Sequence, residues 1–279
     1  MFANFVFQQR GDAAIWVERA SVDQGFIDRL TDADLLFADS DCEVIKDQKK
    51  IKVGRVTLAI AGRRRTIYVK RYNAFSLRYK VTSQFIRSGA FRSLRGAALL
   101  GAAQIPTALP VAAVENRSGG ALIKSFFLSE EVPGGETVDA YWRGRLLGKS
   151  GREGFALRRR FLAALARLFG MLHSERIYHN DLKDANILAA ADPSETGVRF
   201  FLLDLEGVAR LVRLNPRRRL KNLVQIHRSL GRYLTRSEKI YFLKSYLGSR
   251  FAERRLRRQL VASVIGESKR MDRVKASHG

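Results

Sequence analysis

Two hydrophobic periods divide the chain. From Cys42 to Arg71 apolar positions recur every second residue through CEVI, KVGRVTLAI and TIYVKRY, with AGRRR as a turn, which predicts a hairpin ending near Lys70. A basic, mostly helical region follows. IPTALPVAAVE and GALIKSFFLSEEV are again β-like and are joined by the turn signal NRSGG. Val132-Pro133-Gly134-Gly135 breaks the chain, and beyond it the period lengthens. Phe161, Leu165, Leu168 and Leu172 lie at helical spacing within Phe155–His173, opposite Arg158, Arg159 and Arg160. An Asp-Pro turn, the strand-like VRFFLLDLEG and a series of basic helices complete the chain. Strands with one helix, followed by helices, predict an α+β fold in two lobes. The expected boundaries are an acidic N-terminal extension over 1–43 with one short helical stretch from about Phe26 to Phe37, a small β-rich lobe over 44–133, and a mainly helical lobe over 134–279 with basic C-terminal helices.

Charge sharpens this division. The 279 residues are 46% hydrophobic, enough to bury a sizeable core, but Lys+Arg 51 against Asp+Glu 27 leaves a formal charge of +24. Residues 1–47 hold ten acidic and four basic side chains, whereas Gln48 to Val114 holds fourteen Lys or Arg and no Asp or Glu. Leu205 to Gly279 carries twenty basic and five acidic residues. A polyanion partner is expected: an anionic membrane surface, a phosphorylated substrate or nucleic acid. Nucleic acid has only the charge in its favour, because no aromatic RNA-binding signature, zinc-finger spacing or helix-turn-helix is present, so no specific nucleic acid is expected. The basic runs Arg63-Arg64-Arg65, Arg217-Arg218-Arg219 and Arg254 to Arg258 are solvated faces when taken one at a time. The single cysteine, Cys42, excludes an internal disulfide and fits a reducing compartment. No apolar run reaches the roughly 18 residues a spanning helix needs, and the N-terminus does not read as a secretory signal. The expected location is cytoplasmic, peripheral on the cytoplasmic face of the inner membrane.

The candidate chemistry lies in LHSERIYHNDLKDANIL, Leu172 to Leu188. Asp181 and Asn186 are five residues apart with Lys183 between them, on a loop between a helix and a short apolar segment. This is the catalytic-loop spacing of protein kinases, in which an Asp accepts the proton of the attacking hydroxyl and an Asn carbonyl helps hold magnesium on the nucleotide phosphates. A second carboxylate is needed from another direction, and Asp204 at the end of FFLLD is placed to supply it. Phosphoryl transfer needs positioning and charge neutralisation above all, so a few oxygen ligands and a lysine suffice. By resemblance to the kinase catalytic loop, whose first position supports the backbone while the Asp is the base, His179 is expected to be structural. His173 and His227 lack partners at zinc-ligand spacing. Asp184 and Glu206 flank the motif, either as supporting groups or as solvated loop residues.

The stretch Leu172 to Leu188 resembles the catalytic loop of the protein-kinase-like superfamily. The wider pattern resembles the lipopolysaccharide core kinases that phosphorylate Kdo or heptose, through YVKRYN at 68–73, IPTALPVAAVEN at 105–116, LLDLEGV at 202–208 and RRLKNLVQIHRSL at 218–230. The resemblance covers about Glu43 to Tyr233 and implies a two-lobed kinase-like fold, ATP and Mg2+ as cofactors, and a lipopolysaccharide or other glycolipid acceptor. It implies that Lys70 contacts the nucleotide phosphates, that Asp181 is the catalytic base, that Asn186 and Asp204 bind magnesium, and that Lys183 neutralises charge on the transferred group.

The sequence departs from the protein-kinase pattern in several places. Lys46-Asp47-Gln48-Lys49-Lys50 occupies the turn where glycines would cradle phosphate, and Arg71 to Val114 contains no acid to orient Lys70. The metal motif reads Asp-Leu-Glu, no Ala-Pro-Glu follows, and the chain after Asp204 is short for a protein-substrate platform, which favours a small or lipid-linked acceptor. Two alternatives accompany this reading: a small-molecule kinase of the aminoglycoside or choline type, and an impaired pseudokinase that docks on membranes or partners.

Overall fold

The computed structural model describes residues 2–73, 87–192 and 197–276, so the middle of the predicted basic helical region and the proline of the Asp-Pro turn lie outside the described residues. The chain forms two compact units. The first comprises Met1–Ala102, Ala108–Glu131 and Leu205–Gly207, and the second Ala103–Thr107, Val132–Asp204 and Val208–Gly279. The α+β expectation holds, with the sheet in one unit and most helices in the other.

The first unit is built on a seven-stranded antiparallel sheet. Its strands are β1 (Phe5–Arg10), β2 (Ala13–Glu18), β3 (Glu43–Asp47), β4 (Ile51–Ile60), β5 (Arg63–Asn73), β6 (Pro110–Ser118) and β7 (Ala121–Glu130), in the order β1-β2-β6-β7-β5-β4-β3. The predicted hairpins close on two-residue turns, Ala61-Gly62 with φ of 49° and 75° and Gly119-Gly120 with φ of 55° and 80°. Left-handed backbone at both positions matches the twist of the flanking strands.

Both sheet faces are covered. Helix α1 (Gln24–Thr31) buries Phe26, Ile27 and Leu30 against Ile15, Leu58, Ile67, Val69 and Phe126. Helix α2 (Gly89–Ala102) lays Ala90 and Leu94 on Tyr72, Ala113 and Phe127 of the other face. The first 43 residues contain more structure than their sequence pattern suggested: besides the expected helix they contribute β1 and β2, which extend the sheet beyond β6. Every second residue of β2 is buried, Ala13, Ile15 and Val17, so this strand is held by the core despite the acidic composition around it.

The second unit begins with β8 (Glu136–Thr137) and a short helix α3 (Val138–Tyr141), which runs into a π-helical turn, Trp142–Leu146. Helix α4 (Gly151–Ser174) then buries Phe161, Leu162, Leu165, Phe169 and Leu172. Its arginine face is not simply solvated. Arg158 is paired with Glu238 at 2.8 Å, and the Arg159 guanidinium lies 4.2 Å from the ring centre of Tyr241, so helix α6 (Arg236–Leu247) covers that side. Strands β9 (Ile177–His179), β10 (Ile187–Ala191), β11 (Val198–Leu202) and β12 (Val208–Arg210) carry the candidate motif. Helix α5 (Pro216–Arg228) starts on an Asn215 cap with proline at its first turn. Helix α6 starts on a reciprocal Thr235/Glu238 capping box, and α7 (Arg254–Ala276) closes the unit.

Candidate active site

Strand pairing sets the motif in place. β9 pairs with β12, with His179 opposite Val208, and β10 pairs with β11, with Ile187 opposite Leu202. The loop between β9 and β10 is thereby fixed at both ends and carries Asp181, Lys183 and Asn186 together. Asp181 Oδ2 accepts from Lys183 Nζ at 2.7 Å and from Asn186 Nδ2 at 3.1 Å. The same Nδ2 donates to the Asp181 carbonyl at 2.8 Å. Both acceptors are oxygens, so the network orients the Asn186 amide and leaves its Oδ1 as the group available to a cation.

The other carboxylate enters from β11. Leu203 N donates to the Asn186 carbonyl at 2.9 Å, and Leu202 is held from its far side by Pro106 O at 3.0 Å and Thr107 Oγ1 at 2.6 Å. The next residue is Asp204, whose φ of 57° is left-handed. Aspartate tolerates that region better than most residues, and backbone held there is characteristic of sites where direction matters more than comfort.

His179 ties these two segments to each other. Its Nε2 donates to the Leu203 carbonyl at 2.8 Å while its Nδ1 accepts from Asp181 N at 3.2 Å. One nitrogen donates and the other accepts, so the ring is the neutral Nε2–H tautomer. Burial lowers its pKa, against the opposing pull of the Leu203 carbonyl and the Asp204 and Asp181 carboxylates. The structural role expected of His179 is the one its geometry supports. His173, also fully buried, bonds Tyr246 and Asn222, and burial pushes its pKa down to about 4.

The loop has supports that motif reading missed. Asn222 of α5, fully buried, donates to the His179 carbonyl at 2.6 Å, and Ser229 Oγ accepts from Asp184 N at 3.2 Å. Their only sequence signal is the stretch RRLKNLVQIHRSL, which carried no assigned chemistry. Asp184 turns out to be buried, with its pKa raised by that burial, while Glu206 pairs with Arg92 of α2 at 3.4 Å.

Lys70 belongs to the first unit. It lies on a central strand, opposite Val53 of β4 and Phe127 of β7. Helix α2 carries no acid, and the contact between strand and helix is of another kind. The Lys70 ammonium lies 4.9 Å from the ring centre of Tyr72, and the Tyr72 hydroxyl bonds Ser93 of α2 at 2.9 Å. Gly89 lets α2 press onto that ring, since a Cβ there would come within 2.6 Å of it. The glycine-free turn between β3 and β4 is closed by paired backbone bonds between Gln48 and Ile51 at 2.9 and 3.1 Å, with Asn73 Nδ2 bonded to Lys49 O at 2.9 Å.

Among the described residues no three His, Cys, Asp or Glu side chains gather as a metal site. Asn186 and Asp204 supply hard oxygen donors of the kind magnesium accepts, because that ion takes few protein ligands and completes its shell with phosphate oxygens and water.

Comparison with known proteins speaks to the fold and the family. The fold resembles that of the solved WaaP in complex with acyl carrier protein, with a TM-score of 0.64 over 89% of this chain and 97% of that one at 22% identity, a level that speaks for the fold alone. A search of curated proteins finds no match. The family model "Lipopolysaccharide kinase (Kdo/WaaP) family" matches residues 40–246, well over half of the length. The chain belongs to that family of lipopolysaccharide kinases, phosphotransferases that act on a sugar hydroxyl.

Proposed function

We propose that this kinase transfers the γ-phosphoryl group of ATP to a Kdo or heptose hydroxyl of the lipopolysaccharide inner core, with Asp181 as the base. The observation that carries the assignment is the cluster of Asp181, Lys183 and Asn186, joined by bonds of 2.7, 3.1 and 2.8 Å on a loop that His179 ties to the residue before Asp204. Asp181 accepts the acceptor hydroxyl proton, which makes that oxygen the nucleophile. Lys183 carries positive charge at the same carboxylate and offsets negative charge on the group in transfer. Asn186 Oδ1 and Asp204 hold magnesium, which when bound neutralises phosphate charge. Lys70, ordered over Tyr72, contacts the nucleotide phosphates from its own unit.

Location follows from charge. Attachment at an anionic membrane surface would run through basic side chains worth about 1 kcal/mol each near such lipid; no helix among the described residues is long and apolar enough to cross a membrane. A cavity of about 990 Å³ between α5, α6 and α7 is lined by Leu223, Leu230, Phe242, Val261, Ile265 and Arg257.

The test is incubation with γ-labelled ATP, magnesium and fractionated cell envelope. Label in glycolipid that disappears in Asp204→Ala supports this reading. Label only in protein or soluble sugar from a folded enzyme contradicts it.

A further inference from the structure

Gln225 on α5 makes four hydrogen bonds through one amide. Its Oε1 accepts from Leu182 N at 3.1 Å and from Asn222 Nδ2 at 3.1 Å. Its Nε2 donates to the Asn180 carbonyl at 3.1 Å and to Asp181 Oδ1 at 3.2 Å. Two donors face the oxygen and two acceptors face the nitrogen, so a flipped amide would oppose like groups at all four contacts. The orientation is fixed by the backbone of the loop it serves.

Asp181 is thus held at both carboxylate oxygens, with Lys183 and Asn186 on Oδ2 and Gln225 on Oδ1. Lys183 is half-exposed and Asn186 has a second task proposed for it, so neither is a dedicated support. Gln225 is different because it reaches the loop from a helix outside it. Its neighbour Asn222 is itself fully buried and anchored on the His179 carbonyl, and Ser229 Oγ donates to the Gln225 carbonyl at 3.0 Å.

We propose that Gln225 is a positioning residue for phosphoryl transfer, aiming the Asp181 carboxylate by clamping Oδ1 while it pins Asn180 and Leu182 on either side. The proposal rests on the reading of Asp181 as the base. Misplacing a catalytic group by about 1 Å can cost about a hundredfold in rate, and a carboxylate held at one oxygen only is free to swing by that much.

Gln225→Glu keeps the side-chain length and an oxygen that accepts from Leu182 N and Asn222 Nδ2, but turns the N–H group shared by the Asn180 carbonyl and Asp181 Oδ1 into an oxygen that faces both. Measured with γ-labelled ATP and envelope lipopolysaccharide, kcat is expected to fall at least about a hundredfold while KM for ATP stays within about twofold; the opposed oxygens lower thermal stability as well, so the neutral Gln225→Met variant separates lost aim from added repulsion. Gln225→Met, which fills the same volume without either polar atom, gives the same split and decides the matter if the Glu variant does not fold. A folded Gln225→Glu or Gln225→Met enzyme with kcat within about threefold of the parent, or one whose loss lies in KM for ATP, overturns the proposal. Full activity in Asp181→Ala overturns the base assignment instead, so the two failures are distinguishable.

Discussion

Acid should destabilise the second unit through His173. That ring is fully buried, bonded to Tyr246 at 2.8 Å and Asn222 at 3.4 Å, and its pKa falls from 6.5 to about 4 because burial disfavours the charged form and Arg219 adds repulsion. The folded state therefore binds the proton less readily than the unfolded chain. Its stability is complete above about pH 6.5 and is lost as pH falls from there toward about 4. The full difference corresponds to about 3 kcal/mol, of which about 2 kcal/mol has gone by about pH 5. His179 and His227, whose pKa values are also lowered by burial, add losses of the same sign. Urea denaturation isolates the His173 share. The two tryptophans report one unit each, Trp16 the first and the fully buried Trp142 the second, so a Trp16→Phe background reads the second unit alone. Between about pH 7 and pH 5 this protein should lose about 2 kcal/mol more than the same protein carrying His173→Gln. Parallel losses in the two proteins would refute the reasoning.

Other expectations follow from single contacts. Gly96→Ala places a Cβ 2.4 Å from the Leu205 carbonyl oxygen, so α2 must shift, and a cost of about 2 kcal/mol is expected in thermal or urea unfolding. Asn222→Ala strips the buried His179 carbonyl of its 2.6 Å donor and should cost about 2 kcal/mol in the second unit, read by Trp142 fluorescence. Tyr72→Leu removes both the ring beneath Lys70 and the hydroxyl bonded to Ser93, and should raise KM for ATP several-fold, whereas Tyr72→Phe keeps the ring and loses less. Replacing the exposed Arg254 and Arg255 by Ala should weaken binding to anionic vesicles by about 1 kcal/mol each, roughly thirtyfold together, and leave neutral vesicles unaffected.

The chemistry was more legible in the sequence than its supports. Asp181, Lys183 and Asn186 sit at fixed offsets on one short loop, so their assembly needs only local backbone and is readable from spacing. The strands around Lys70 were readable for the same reason, because alternation in KVGRVTLAI and TIYVKRY reports a half-buried sheet directly. β1 and β2 were obscured because their apolar residues run together, Phe5 to Phe7 and Ala13 to Val17, without the polar alternation that marks a half-buried strand, and only pairing with β6 buries every second residue of β2. Asn222, Gln225 and Ser229 meet the loop across more than forty residues of chain, and polar residues on a basic helix look solvated until the partner segment is in place. Lys70 illustrates the same limit: the absence of an acid on α2 was plain, but the Tyr72 and Ser93 contact that stands there depends on how α2 packs.

The central claim is phosphoryl transfer by Asp181 with Asp204 as its metal-holding counterpart. Its most direct test measures label transferred from γ-labelled ATP to glycolipid in a cell-envelope fraction by the parent protein, Asp181→Ala and Asp204→Ala, each first shown to be folded. The account predicts magnesium-dependent label in glycolipid from the parent and none above background from either variant. Transfer that persists in a folded Asp181→Ala or Asp204→Ala protein would contradict it.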